Sequence, residues 1–122
     1  MEAGLIDFEA ERKVFLYVKR SASTRSAYRN ALRIFEEWLA RKGLAPIDLT
    51  PGLALDFIQD LRSEARADQS GMGHPRSANI VRTIVTACSS FYTHLERRYA
   101  EIRNPFRGIQ ARLDLRKRGG AR

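Results

Sequence analysis

Apolar residues recur at helical spacing in four places along the chain, and no stretch of useful length alternates apolar with polar as a half-buried strand would. The pattern predicts an all-α fold of four main helices, with room for a short fifth near the carboxyl end. The first is expected from Leu5 to Lys19, with Phe8, Phe15 and Val18 on one side. The residues "SAS" break it, Ser23 is the expected N-cap of the second helix, and Gly43 closes that helix. Within it Tyr28, Leu32, Phe35 and Leu39 fall on one stripe, widened by Ala31, Ile34 and Trp38, so this face must be buried. Thr50 caps the third helix, with Pro51 at the first position, where a missing N–H costs nothing. Leu53, Phe57, Ile58 and Leu61 supply its apolar face. "DQSGMGHP" reads as a loop by its glycines and proline, after which Ser77 caps a long fourth helix, "SANIVRTIVTACSSFYTHLERRY". Pro105 follows the end of that helix, and "NPF" is expected to pin the chain against the bundle through Phe106.

The fourth helix is the informative one. At 100° per residue, Ile80, Val81, Ile84, Val85, Cys88, Phe91, Tyr92 and Leu95 fill one half of the wheel, leaving Asn79, Arg82, Thr83, Thr86, Ser90 and Thr93 in a narrow stripe opposite. That stripe is polar but nearly uncharged. A solvated helix would more often carry Glu and Lys there, because Thr, Ser and Asn are poorer helix formers. Short hydroxyl and amide side chains beside one arginine suit close approach to phosphates and base edges. A plain solvent face is the competing reading of the same residues.

Composition changes the picture in one respect. Lys plus Arg number 22 against 14 Asp plus Glu, a formal net charge of +8. A basic chain of this size is a candidate for nucleic acid or an acidic surface, although charge alone says nothing about fold. Acidic residues gather at the start (Glu2, Asp7, Glu9, Glu11), whereas "RGIQARLDLRKRGGAR" at the end carries six basic residues and one acid. The lone cysteine, Cys88, rules out an internal disulfide framework, and neither a secretory signal nor a membrane-length apolar run is evident. A soluble, cytoplasmic setting is expected, and one domain fits the length.

Taken together, "STRSAYRNALRIFEEWLARKG", then the Thr-capped "TPGLALDFIQDL", then "SANIVRTIVTACSSFYTHLERR", then "NPF" resemble the N-terminal core-binding domain of tyrosine recombinases, the phage-integrase and Xer-type family. The resemblance covers about residues 8 to 110 and is carried by the order and spacing of the elements rather than by any single one. It implies a SAM-like orthogonal helical bundle that forms one half of a clamp around double-stranded DNA, in a protein that works in DNA integration and recombination. It implies DNA contacts at Thr24, Arg25 and Arg29 at the start of the second helix, and at Ser77, Asn79, Arg82, Thr83 and Thr86 along the fourth. Residues 1–110 would be the DNA-binding domain, and 111–122 a basic interdomain linker or a truncated end. The family's chemistry resides in a catalytic domain beyond this chain, so the chain is expected to bind and not to cut, as a piece of a longer recombinase. Such recombinases assemble as tetramers on paired sites, and the acidic first helix could touch another protomer or be plain surface.

His94-Leu95-Glu96-Arg97 fits the HxxR pattern that the family uses in its catalytic domain, with Tyr99 nearby. It lies on a helix whose Leu95 belongs to the buried face, and no second arginine or lysine completes a constellation. Ion pairing of Glu96 with neighbouring bases, or a phosphate contact by Arg97, is the expected use. Arg25, Arg29 and Arg33 rise along the edge of the second helix's apolar face, so a basic ridge is expected beside the polar stripe of the fourth helix if the two pack side by side. Glu36 and Glu37 stand three and four residues beyond Arg33 and should neutralise it. Cys88 belongs to the core, Trp38 and Tyr28 to core or rim, and His74, His94 and Cys88 have no metal-ligand spacing. No cofactor or metal is expected. Two other readings stay open: a helical protein-interaction module whose basic surface docks an acidic partner, and a chain with activity of its own through Tyr99 and His94.

Overall fold

The computed structural model describes residues 7–19, 21–69 and 78–112, and among these every regular element is helical. In chain order they are α1 (Phe8–Tyr17), α2 (Ala22–Lys42), a 3-10 turn (Pro46–Asp48), α3 (Pro51–Gln69), α4 (Ala78–Arg98) and the short α5 (Arg107–Arg112). The fold is all-α, four longer helices packed as a bundle, with the fifth helix that the sequence left room for.

Local chemistry sets the boundaries. Asp7 caps α1, its carboxylate accepting the Ala10 N–H at 3.1 Å. Ser21, not Ser23, caps α2: its backbone is extended, its hydroxyl accepts the Thr24 N–H at 3.2 Å, and its carbonyl accepts the Arg25 N–H. Either serine could serve by residue type, and capping at Ser21 lets Ala22 join the first turn. Gly43 ends α2 in the left-handed region (φ 69°), where its N–H reaches the Ala40 carbonyl and the Leu44 N–H reaches back to Leu39. That pair of bonds is the Schellman arrangement, which a side chain at residue 43 would strain. Thr50 caps α3 as expected, its Oγ1 accepting the Leu53 N–H at 3.2 Å. Helix α3 continues through Gln69, so Asp68 and Gln69 of the expected loop are helical, while the rest of that loop, with His74 and the Ser77 cap, lies outside the described residues.

Helices α2 and α4 share the most extensive contact of the bundle. Ala31, Leu32, Phe35, Trp38 and Leu39 of α2 are buried against Val81, Ile84, Val85, Cys88, Phe91, Tyr92 and Leu95 of α4, with Ala54, Phe57, Ile58 and Leu61 of α3 closing the third side. Two apolar residues escape the expected core. Val18 lies just past the end of α1 and is exposed, and Ile80, in the first turn of α4, is exposed whereas the next residue, Val81, is buried. Trp38 is core and gives its indole N–H to Asp60 at 2.8 Å; Tyr28 is half-buried at the rim. Phe106 plugs the bundle as "NPF" predicts: it is fully buried, with its ring centroid 5.9 Å from Tyr92 and 6.2 Å from Phe35. Asn104 fastens this turn to α4, its amide donating to the Ser89 carbonyl at 2.9 Å and to Thr93 Oγ1 at 3.2 Å, while its Oδ1 accepts the Phe106 N–H. Among the described residues no helix is long and apolar enough to cross a membrane.

Candidate nucleic-acid interface

Because successive residues of a helix turn by about 100°, Thr24 and Arg25 cannot point the same way. The Thr24 and Tyr28 side of α2 faces α4, and there the two helices leave a shallow groove of about 380 Å³ lined by Ser23, Thr24, Ala27, Tyr28, Arg82, Thr83 and Thr86. Ser23 and Thr24 belong to the first turn of α2, which contains no acid, so the positive end of its dipole and its outermost N–H groups stand beside the polar stripe of α4. Arg82 is half-buried. Its Nη1 donates to Asn79 Oδ1 at 2.7 Å, and its buried Nε has no hydrogen-bond partner among the described residues. Thr83 gives its hydroxyl proton to the Asn79 carbonyl at 2.9 Å, which leaves its lone pairs toward the groove's edge.

The stripe continues down α4. Starting about one turn on, Ser89, Ser90, Thr93, His94 and Arg97 form a second recess of about 320 Å³ with Phe15, Val18 and Lys19. Lys19 bridges the two recesses: its ammonium lies 4.4 Å from the centroid of Phe15, in the second, and 5.2 Å from that of Tyr28, in the first. From Thr83 to Arg97 the polar edge runs roughly 21 Å at 1.5 Å per residue, the length of on the order of six stacked base pairs.

Of the residues expected to touch DNA, the structure gathers Thr24, Arg82, Thr83 and Thr86 into one groove, with Asn79 one turn away holding two of them. Ser77 lies outside the described residues. Arg25, Arg29 and Arg33 do not form a ridge beside the α4 stripe. They face α1, lining a different groove with Arg12, Lys13, Leu16 and Tyr17. Arg25 Nη1 donates to the Lys19 carbonyl at 2.6 Å, and Arg33 pairs with Glu37 at 3.1 Å, as its spacing predicts, and also binds Asn30. Glu36, also expected to neutralise Arg33, reaches across to Arg12 instead, at 2.7 Å.

His94 and Glu96 of the HxxR segment are engaged in internal ties, whereas its Arg97 lines the second recess. Glu11, buried on α1, accepts from Arg98 at 2.7 Å, from His94 Nε2 at 3.1 Å and from the Tyr99 hydroxyl. Burial works to raise this carboxyl, but the hydrogen bonds from Tyr99, His94 and Arg98 outweigh it and hold it below the ordinary carboxylate range. The same bond makes the Tyr99 phenol harder to ionise. Glu96 takes a two-pronged contact from Arg107 at 2.6 and 2.9 Å and the Asn104 N–H at 2.6 Å, and the Arg107 bonds lead in lowering its carboxyl. One acid of the first helix is therefore an internal anchor, neither plain surface nor free for another protomer. Cys88 is fully buried, and that burial pushes its thiol far up.

Sequence reasoning missed Ser23 and Lys19 as groove residues. The expected cap role hides Ser23, and Lys19, expected at the end of the first helix, lies two residues beyond α1, which stops at Tyr17. The separation of Thr24 from Arg25 was available in the helical wheel. No three His, Cys, Asp or Glu side chains among the described residues come together as a metal site. Compared with protein-family models, curated proteins and solved structures, the chain matches none.

Proposed function

We propose that the chain is a duplex-DNA-binding domain of a tyrosine site-specific recombinase or integrase, supplying one half of a DNA clamp and carrying no strand cleavage of its own. The observation that carries this reading is the single groove in which the acid-free first turn of α2 meets the neutral polar stripe of α4 around Arg82. Helix N-termini and short hydroxyls receive phosphate oxygens, and an arginine with unused donors reads a guanine edge or clamps a phosphate. The formal charge of +8 supplies long-range attraction.

Binding would be dominated by phosphate neutralisation. With about five phosphate contacts, log K falls against log salt with a slope of roughly −4 to −5, and a half-clamp alone binds weakly. The test is fluorescence anisotropy with short duplexes tiled from the DNA flanking the encoding gene, against scrambled duplexes at ~0.15 M salt. Preference for one inverted-repeat half-site supports the reading; equal weak binding to all duplexes overturns it in favour of a basic protein-interaction bundle. The same duplexes in supercoiled form, probed for a covalent protein–DNA adduct, are expected to give none.

A further inference from the structure

On the side of α2 turned away from the α4 groove, Arg25, Arg29 and Arg33 rise at four-residue steps, about 6 Å each. With Arg12, Lys13, Leu16 and Tyr17 of α1 they line a groove of about 460 Å³ that has no carboxylate in its walls. Glu36 and Glu37 offset Arg12 and Arg33, and Arg25 is tied to the Lys19 carbonyl. Lys13 and Arg29 form no hydrogen bond or ion pair among the described residues, so the groove keeps a positive excess.

Next to this row the outward face of α1 is apolar where solvent would call for polar residues. Ala10, Val14 and Tyr17 follow one another at i, i+4 and i+7 and are all exposed, Val14 at 45% and Tyr17 at 84%. An arginine row beside an apolar ridge has a definite complement. A helix with carboxylates four residues apart repeats the 6 Å step of the arginines and turns an adjacent apolar stripe toward Val14 and Tyr17.

We propose that the α1–α2 groove docks an acidic amphipathic helix of a protein partner. A second stretch of DNA backbone would use the arginines but leave Val14 and Tyr17 uncovered, so the ridge favours protein. The groove and the α4 stripe lie on different sides of α2, which allows partner and duplex to be held together; the inference does not rest on the DNA reading.

The test uses the full isotope-labelled chain and a synthetic amphipathic peptide of about five helical turns, with glutamates at four-residue spacing beside a leucine stripe. A scrambled peptide of equal composition is the control. Saturable binding at ~0.15 M salt is expected, with amide shifts at Lys13, Tyr17 and Arg29 and none at Thr83 or Thr86. Arg29→Glu should weaken it about tenfold and Tyr17→Ala several-fold, with helix content unchanged by circular dichroism. The proposal is overturned by absence of saturable binding, by equal binding of the scrambled peptide, by shifts centred on Thr83 and Thr86, by competition from a short duplex, or by self-association of the chain across the same ridge.

Discussion

Helix α2 is a wall of two grooves, and they differ in kind. Toward α4 it offers Ser23, Thr24 and Tyr28 beside Thr83, Thr86 and a single arginine; toward α1 it offers three arginines beside Arg12, Lys13 and an exposed tyrosine. Counting charge would send DNA to the second groove. The groups that read a duplex at close quarters, small donors and acceptors at a helix N-terminus, are in the first. Formal charge sets attraction over a distance of about one Debye length, roughly 8 Å at physiological salt, whereas fit and hydrogen bonding decide the docked position. On the proposed reading, the formal charge as a whole draws the duplex in, the α2–α4 groove grips it, and the α1–α2 groove is left to an acidic helix.

The comparison is broken most completely by removing what both grooves share. Leu32 is fully buried on the core side of α2, and Leu32→Ala should cost about 2–5 kcal/mol, lowering the denaturant midpoint and weakening duplex and peptide binding together. Cys88 gives a second readout of the same event, because a buried thiol held protonated reacts with a thiol reagent only when the fold opens. Thr86→Glu is more selective. It sets a carboxylate in the α4 groove, so duplex affinity should fall more than about tenfold while acidic-peptide binding stays at its wild-type value.

Acid should weaken the frame that holds both grooves open. Glu11 ties α1 to the end of α4, and Glu96 ties α4 to the Asn104 turn and α5. Both carboxyls are held below their ordinary range, so each contributes stability that is fully present above the unfolded value near ~4.3 and is lost as pH falls through the folded value. Denaturant midpoints should therefore decline below about pH 5, and Glu96→Gln should flatten that decline; an unchanged profile would mean that these ties do not stabilise the fold. The smallest effect is expected at the cap. Ser21→Ala should cost about 1 kcal/mol and fray the first turn of α2, whereas Ser23→Ala should leave stability nearly untouched.

Most of the bundle was legible because burial imposes a period. The stripes of α2 and α3 and the Phe106 plug follow from apolar side chains that any packing must bury, and the Thr50 cap and Gly43 stop from bonds within one helix end. What was not legible depends on which neighbour a face meets. Val18 and Ile80 fit the apolar stripes by angle yet lie at helix ends, where both stay exposed. Glu11 looked like part of an acidic surface, and only the fold brings it to His94, Arg98 and Tyr99, more than eighty residues away. The site divides along the same line. Asn79, Arg82, Thr83 and Thr86 share one helix face, so the wheel groups them, whereas the direction taken by Arg25, Arg29 and Arg33 is decided by the packing of α1.

The most direct test sets Arg82→Ala beside Arg29→Ala on the preferred half-site duplex and on its scramble, by anisotropy at one fixed salt concentration. Removing Arg82 is predicted to weaken half-site binding about tenfold or more and to erase the preference over the scramble. Removing Arg29 is predicted to weaken both duplexes slightly and alike, leaving the preference intact. Equal losses from the two variants, or loss of preference through Arg29 alone, would contradict the assignment of DNA reading to the α2–α4 groove.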